Sequence, residues 1–139
     1  SQRTGKTFSM ILADIDHIGE INSKFGMKMG DQIIIRTGSI LKESVANQEL
    51  VGRWSSEEFL ILLPETTLEE AKALAEKIRS RIEKESLNFN QNQISLTLSM
   101  GVNHCLPDME WDKCIAEAQE CMHQAKALGR NRLVAIDMD

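Results

Sequence analysis

The strongest constraint on this chain lies in one short stretch. Gly52-Arg53-Trp54-Ser55-Ser56-Glu57-Glu58-Phe59 runs directly into Leu60-Ile61-Leu62-Leu63. An apolar run preceded by two small residues reads as strand, two-residue turn, strand. Phe59, Ile61 and Leu63 alternate with Leu60 and Leu62, which predicts a strand buried on both faces, as at the centre of a sheet. Pleating sends the adjacent Glu57 and Glu58 to opposite faces. One can meet a ligand while the other turns away. Carboxylates at the mouth of a central strand suit a hard cation, although a solvated polar hairpin accounts for the same residues.

The flanking segments supply the rest of a sheet and its helices. Phe8 to Asp14 predicts a first strand ending in Asp14-Ile15-Asp16. Aspartates two apart share one face of a strand, at the C-terminal edge where α/β sheets bind ligands. Asp14 is therefore a candidate metal ligand, with Ile15 offering a carbonyl; helix-capping aspartates are the alternative. His17 to Phe25 predicts a short helix closed by Gly26, and Asn22 on it has the donor and acceptor that a purine edge needs. Gly30-Asp31 predicts the start of a second helix running to Val45, with Asp31 as its cap or first-turn acid or as an acceptor for guanine. Leu50 to Trp54 predicts the strand before the hairpin.

Thr66 or Thr67 is expected to cap a third helix from Leu68 to Glu85, with Glu69 and Glu70 in its first turn. Asn88 to Gln93 reads as a polar loop. Leu96, Leu98, Met100 and Val102 alternate with Ser95, Thr97, Ser99 and Gly101, the pattern of a half-buried strand. After the Pro107-Asp108 turn, Trp111, Ile115, Ala118, Met122 and Ala125 form the core stripe of a fourth helix. Gly129 fits the C′ position of that helix. Lys126 and Arg130 near its end can neutralise a phosphate, and cations are also favoured there by the helix dipole. Leu133 to Ile136 predicts a last short strand. The fold class is α/β: a mixed sheet with a central antiparallel hairpin, flanked by helices.

Bulk properties narrow the partners. A chain of 139 residues, 42% hydrophobic, is long enough for one core. The net charge of -5 argues against general nucleic-acid or anionic-membrane binding, so no nucleic-acid partner and no direct membrane contact are expected. Cys105, Cys114 and Cys121 lack CxxC spacing and are odd in number, so they read as thiols in a reducing cytoplasm. Neither a G-x-G-x-x-G nor a G-x-x-x-x-G-K-[ST] loop occurs, nor a credible Ser-His-Asp or Cys-His constellation. His104 and His123 read as ordinary surface or loop histidines. One domain is expected over residues 1–139, cut from a longer signalling protein.

These blocks, in this order and at this spacing, resemble the GGDEF family, the diguanylate cyclase domain of bacterial second-messenger signalling. The family's D-I-D-x-F-K-x-x-N-D-x-x-G-H-x-x-G-D is similar to Asp14-Ile15-Asp16 through Asn22, Gly26 and Gly30-Asp31. Its signature hairpin is similar to Arg53-Trp54-Ser55-Ser56-Glu57-Glu58-Phe59, its late strand to Leu98-Ser99-Met100-Gly101-Val102, and its closing A-K-x-x-G-R-N to Ala125 through Asn131. The resemblance implies a nucleotidyl-cyclase-like fold with a ferredoxin-like core. It implies that two GTP, one per subunit of an antiparallel homodimer, condense to cyclic di-GMP and pyrophosphate. Asp14, the Ile15 carbonyl and Glu57 are then the Mg²⁺ or Mn²⁺ ligands. Glu57 helps to deprotonate the attacking 3′-hydroxyl, and Glu58 supports the metal site. Asn22 and Asp31 read guanine, Lys126 and Arg130 hold the triphosphate, and Ser55 and Ser56 line the substrate. The domain is expected on the cytoplasmic side, behind an N-terminal sensory unit.

The chain departs from the family pattern at several positions. Ser55 and Ser56 replace the signature glycines, which would permit positive φ and close backbone approach. Ile18-Gly19 replaces F-K, Ser23 the Asp after Asn22, and Met27 the family His. Ala46-Asn47-Gln48-Glu49 replaces the R-x-x-D product-inhibition motif, so feedback binding there is not expected. Three readings follow: a working or weakened cyclase, a module that holds GTP without turnover, and a structural dimerisation domain.

Overall fold

The computed structural model describes residues 6–47, 50–89 and 91–136. A five-stranded mixed sheet carries the chain, in the order β2-β3-β1-β6-β7. Its strands are β1 (Phe8–Ile15), β2 (Val51–Arg53), β3 (Glu58–Pro64), β6 (Leu98–Cys105) and β7 (Arg132–Ala135). β3 and β6 flank β1 antiparallel, β2 adds antiparallel to β3, and β7 runs parallel to β6. The helices are α1 (Ile18–Phe25), α2 (Met27–Ser44), α3 (Leu68–Lys84) and α4 (Trp111–Ala127).

Side-chain parity along β1 divides the core. Ile11, Ala13 and Ile15 join Phe59, Ile61, Leu98, Met100 and Val102 beneath α2 and α3, whose Ile33, Ile40, Ala75 and Ile78 close that face. Met10 and Leu12 face the other way, onto Cys114, Ile115, Ala118 and Met122 of α4. All eight β1 residues are buried, so β1 is the central strand rather than β3. β3 lies one strand from the edge: Phe59 and Ile61 are buried, while Leu60 and Leu62 are half-buried.

Several sequence expectations are corrected. α2 begins at Met27 with Gly26 as N-cap, and its first turn holds no acid. Asp31 is therefore an exposed residue of the second turn and not a cap. Thr67, rather than Thr66, caps α3, through a capping box with Glu70. The expected loop at Asn88–Gln93 is largely a small hairpin, β4 (Ser86–Phe89) with β5 (Asn92–Ser95), whose Leu87 and Ile94 reach the core. His104 lies on β6, its Nδ1 2.9 Å from the Ser9 hydroxyl. Cys105, at the end of β6, lies sulfur to sulfur against Cys114 in the first turn of α4, a pairing that the cysteine spacing did not reveal; Cys121 is a free, buried cysteine.

β6 is buried on both faces, not one. Leu98, Met100 and Val102 pack under α2 and α3 as the alternation predicts. Ser99 and Gly101 face α4 instead of solvent. A Cβ on Gly101 would lie 2.0 Å from the Ala118 carbonyl oxygen and 2.6 Å from the Met122 nitrogen, both backbone atoms that cannot swing aside. Gly101→Ala is expected to cost about 2–3 kcal/mol through overpacking, roughly 10 °C in Tm for a domain of this size. Gly52→Ala, whose Cβ meets nothing within 4 Å, should stay within about 0.5 kcal/mol of the parent. Thermal denaturation of the two variants checks both.

Candidate functional site: a buried aspartate beneath the signature hairpin

Even-numbered residues of β1 face α4, and at the open end of the strand this parity falls on Asp14. Its carboxylate is buried and forms an ion pair with Lys126 Nζ, from the last turn of α4. Burial raises the Asp14 pKa from its ordinary value of 3.8 to about 6, against the lowering by Lys126; the negative charges of Glu57 and Glu58 raise it further. Asp14 pairs across the sheet with Glu58, and the Ile15 amide donates to the Glu57 carbonyl at 3.3 Å. Two carboxylates thus bear on Asp14, with Lys126 paired to it.

The hairpin differs in detail from its expectation. Trp54 N–H donates to the Glu58 carbonyl at 2.8 Å, so Ser55, Ser56 and Glu57 form a three-residue turn and the second strand opens at Glu58. Glu57 lies in the turn, not in the strand. Neither serine takes a positive φ, so the turn does not demand glycine for its backbone conformation. Arg53 braces it: Nε donates to the Ser55 carbonyl at 3.3 Å and a terminal nitrogen to the Ser56 carbonyl at 2.6 Å.

Asp16 has a different task from Asp14. It accepts from Thr97 Oγ1 and Ser99 Oγ, both at 2.6 Å, and from the Asn131 backbone N–H at 3.1 Å. All three partners come from the protein, so this buried carboxylate is a structural anchor. What it anchors is the end of α4. There Gly129 takes φ 122, its N–H donates to the Lys126 carbonyl, and the Arg130 N–H donates to the Ala125 carbonyl at 3.0 Å, the two bonds of a Schellman motif. The Asn131 side chain ties the same point to Arg79 and Glu83 of α3. Lys126 is thereby aimed at Asp14. Arg130 is exposed past the helix end. Asp16, Asn131 and Arg53 were not singled out from sequence; the D-x-D spacing and the A-K-x-x-G-R-N block held the signal for the first two.

Asn22 sits on α1 with its Oδ1 buried and without a hydrogen-bond partner. The amide fills the place of a Gly30 side chain: a Cβ there would lie 1.7 Å from Asn22 Oδ1. The structure thus sets Asn22 against the residue that precedes Asp31. An unsatisfied buried carbonyl costs about 1–3 kcal/mol. The replaced inhibition motif falls partly outside the described residues, at Gln48 and Glu49.

The donor set near Asp14 has the chemistry of a hard-cation site: carboxylate oxygens in excess of positive charge, with a backbone carbonyl at Ile15. Among the described residues, however, no three His, Cys, Asp or Glu side chains converge as a ready-made cage. Such a site would be completed by backbone and substrate oxygens, as is usual for Mg²⁺. No helix among the described residues is long and apolar enough to cross a membrane.

Comparison with known proteins agrees with this geometry. The family model described as "Diguanylate cyclase, GGDEF domain" matches residues 1–132. Diguanylate cyclase A of Treponema denticola is 33% identical over 129 residues, 92% of this chain and 35% of that protein. Diguanylate cyclase DosC of Escherichia coli K12 is 34% identical over 134 residues, 96% of this chain and 29% of that protein. The chain thus spans about a third of the length of these relatives. The active GGEEF domain of a diguanylate cyclase from Vibrio cholerae superposes with a TM-score of 0.88 at 29% identity, covering 99% of this chain and 88% of that one. With the mixed sheet, the hairpin over Asp14 and the family match all coinciding, the chain belongs to the GGDEF family of diguanylate cyclase domains.

Proposed function

We propose that this domain binds GTP with Mg²⁺ or Mn²⁺ and, as an antiparallel homodimer holding one GTP per subunit, condenses two GTP into cyclic di-GMP and two pyrophosphates. The observation that carries the reading is the buried Asp14 carboxylate, pressed by Glu57 and Glu58 and neutralised only by Lys126. A fold has no structural need for this arrangement, whereas phosphoryl transfer does. Asp14, Glu57 and the Ile15 carbonyl hold the cation, which supplies charge neutralisation at the phosphates. Glu58 supports them, and Glu57 accepts the proton of the attacking 3′-hydroxyl. Asn22, with its unpartnered buried oxygen, and Asp31 take the guanine edge. Lys126 and Arg130 hold the triphosphate, and Ser55 and Ser56 flank it. On this reading the domain acts on the cytoplasmic side under an N-terminal sensory unit; the relatives it matches are about three times as long as this chain.

The exposed Ser55 and Ser56 side chains favour a second reading, in which GTP is held without turnover. One experiment separates the two. The domain is fused to a parallel coiled coil to enforce pairing, given GTP with Mg²⁺ or Mn²⁺, and assayed for cyclic di-GMP by mass spectrometry, with GTP binding measured on the same sample. Product is expected, and Glu57→Ala is expected to reduce it roughly 100-fold or more. Binding without product establishes the second reading. Absence of both leaves only a dimerisation scaffold.

The cation site also predicts a pH dependence. The Asp14 pKa is raised on folding, so the folded state holds the extra proton. Its contribution to stability is complete below about pH 4 and is lost as pH rises through about 6. Asp14→Asn is therefore expected to melt above the wild type at pH 7, by up to about 2–3 kcal/mol, with the gap closing toward pH 4. Saturating Mn²⁺ should raise the wild-type Tm at pH 7 and leave that of the variant unchanged. Melting curves across pH with and without the metal test both statements.

A further inference from the structure

Gly26 is the single residue between α1 and α2, and it sets one helix against the other. It takes φ 96, which glycine adopts freely, and its N–H donates to the Asn22 carbonyl at 2.8 Å. Asn22 lies four residues before this pivot and Gly30 four residues after it, about one helical turn on either side. The two therefore face each other close to the bend. Gly30 is buried there, in the first turn of α2.

A glycine inside a helix needs a reason. Gly30 has no positive φ, so the backbone does not call for it, and alanine would favour the helix. The reason lies in the gap it leaves. A Cβ on Gly30 would lie 1.7 Å from Asn22 Oδ1, 2.8 Å from its Cγ and 3.3 Å from its Nδ2, and these are the three atoms nearest to it. They end a flexible side chain, whereas the atoms facing Gly101 are backbone. A methyl group at Gly30 would therefore turn the Asn22 amide out without forcing the helices apart. Asn22 Oδ1 is buried and makes no hydrogen bond, so the fit against Gly30, not a bond to that oxygen, keeps the amide in place. Turning it into water would even hydrate the oxygen. Helix propensity and polar burial thus both argue against glycine here, and the fold gains nothing from it.

We propose that Gly30 is a positioning residue: it leaves the gap that holds the Asn22 amide ready for a guanine base, at the expense of helix stability. An amide already confined to one place need not be ordered when the base binds. The inference rests on the proposed guanine role of Asn22 and adds what holds that side chain in the free domain.

The test compares wild type, Gly30→Ala, Asn22→Ala and the double variant. In Gly30→Ala the Asn22 side-chain amide, ordered in the free wild type, is expected to become mobile by ¹⁵N relaxation. Affinity for GTPγS with Mg²⁺, measured by calorimetry, should fall about three- to tenfold, the loss of one hydrogen bond. The Tm should rise by about 3 °C, the opposite of what a glycine required by the fold would show. In the Asn22→Ala background the same substitution should again raise the Tm but leave GTPγS affinity unchanged, so the two effects on binding are not additive. Unaltered affinity in Gly30→Ala, a further loss in the Asn22→Ala background, or a Tm lowered there would each overturn the proposal. A wild type that binds no GTPγS strikes the proposed function and the guanine role of this gap with it, while the melting and relaxation data still decide whether Gly30 holds the amide.

Discussion

Everything at the site depends on how closely α4 lies on the sheet. The helix rests against β6 at Gly101, where there is no room even for a methyl group between strand and helix backbone. That approach fixes the depth of α4, and the Schellman turn beyond Ala127 fixes its end. Asp16 then holds the Asn131 amide and, through it, the whole A-K-x-x-G-R-N segment. Lys126 reaches Asp14 from the last turn of α4, whose end these contacts set. A buried carboxylate is costly unless paired, so the pairing is in turn what allows Asp14 to sit inside the sheet. Close packing and charge neutralisation are one constraint seen from two sides.

The two aspartates of Asp14-Ile15-Asp16 show how identical side chains take opposite roles. Asp16 is satisfied by two hydroxyls and a backbone amide, so the protein itself fixes it. Asp14 has one mobile ammonium and two neighbouring carboxylates, and burial lifts its pKa to about 6. Groups held away from their preferred state concentrate at functional sites. The carboxylate that the fold does not satisfy is the one to expect at the chemistry.

Much of this was legible in the sequence. Core stripes of period 3.6 located α3 and α4, and the alternation along Leu98, Met100 and Val102 identified the correct inner face of β6. The opposite face was misread because Ser99 and Gly101 look like solvent positions. They are small because a helix lies on them, and a periodicity count cannot tell smallness for water from smallness for close packing. The hairpin at Leu87 and Ile94 was hidden by the polar residues between them. Asp31 was read as a cap because Gly30-Asp31 resembles a helix start, yet Gly26 had already ended one helix and opened the next. The Asp14 to Lys126 pair spans 112 residues and was not read from the sequence, since no local spacing encodes it.

The serines in the signature turn separate two properties that glycine usually supplies together. Glycine allows positive φ and allows close approach. In this turn the first is not used, because Ser55 and Ser56 both lie outside the left-handed region, and Arg53 hydrogen-bonds both of their carbonyls. Whatever the substitution costs must then come from the added Cβ and hydroxyl atoms alone. That is a steric cost and falls on a ligand seated against the turn, not on the fold. A steric cost at a ligand surface can be graded: it weakens or displaces a bound group without removing the carboxylates, the lysine or Asn22. The chain therefore keeps its charged groups and Asn22 in a sound framework, and under the proposed function the difference between turnover and mere binding comes down to two side-chain volumes at the tip of one hairpin.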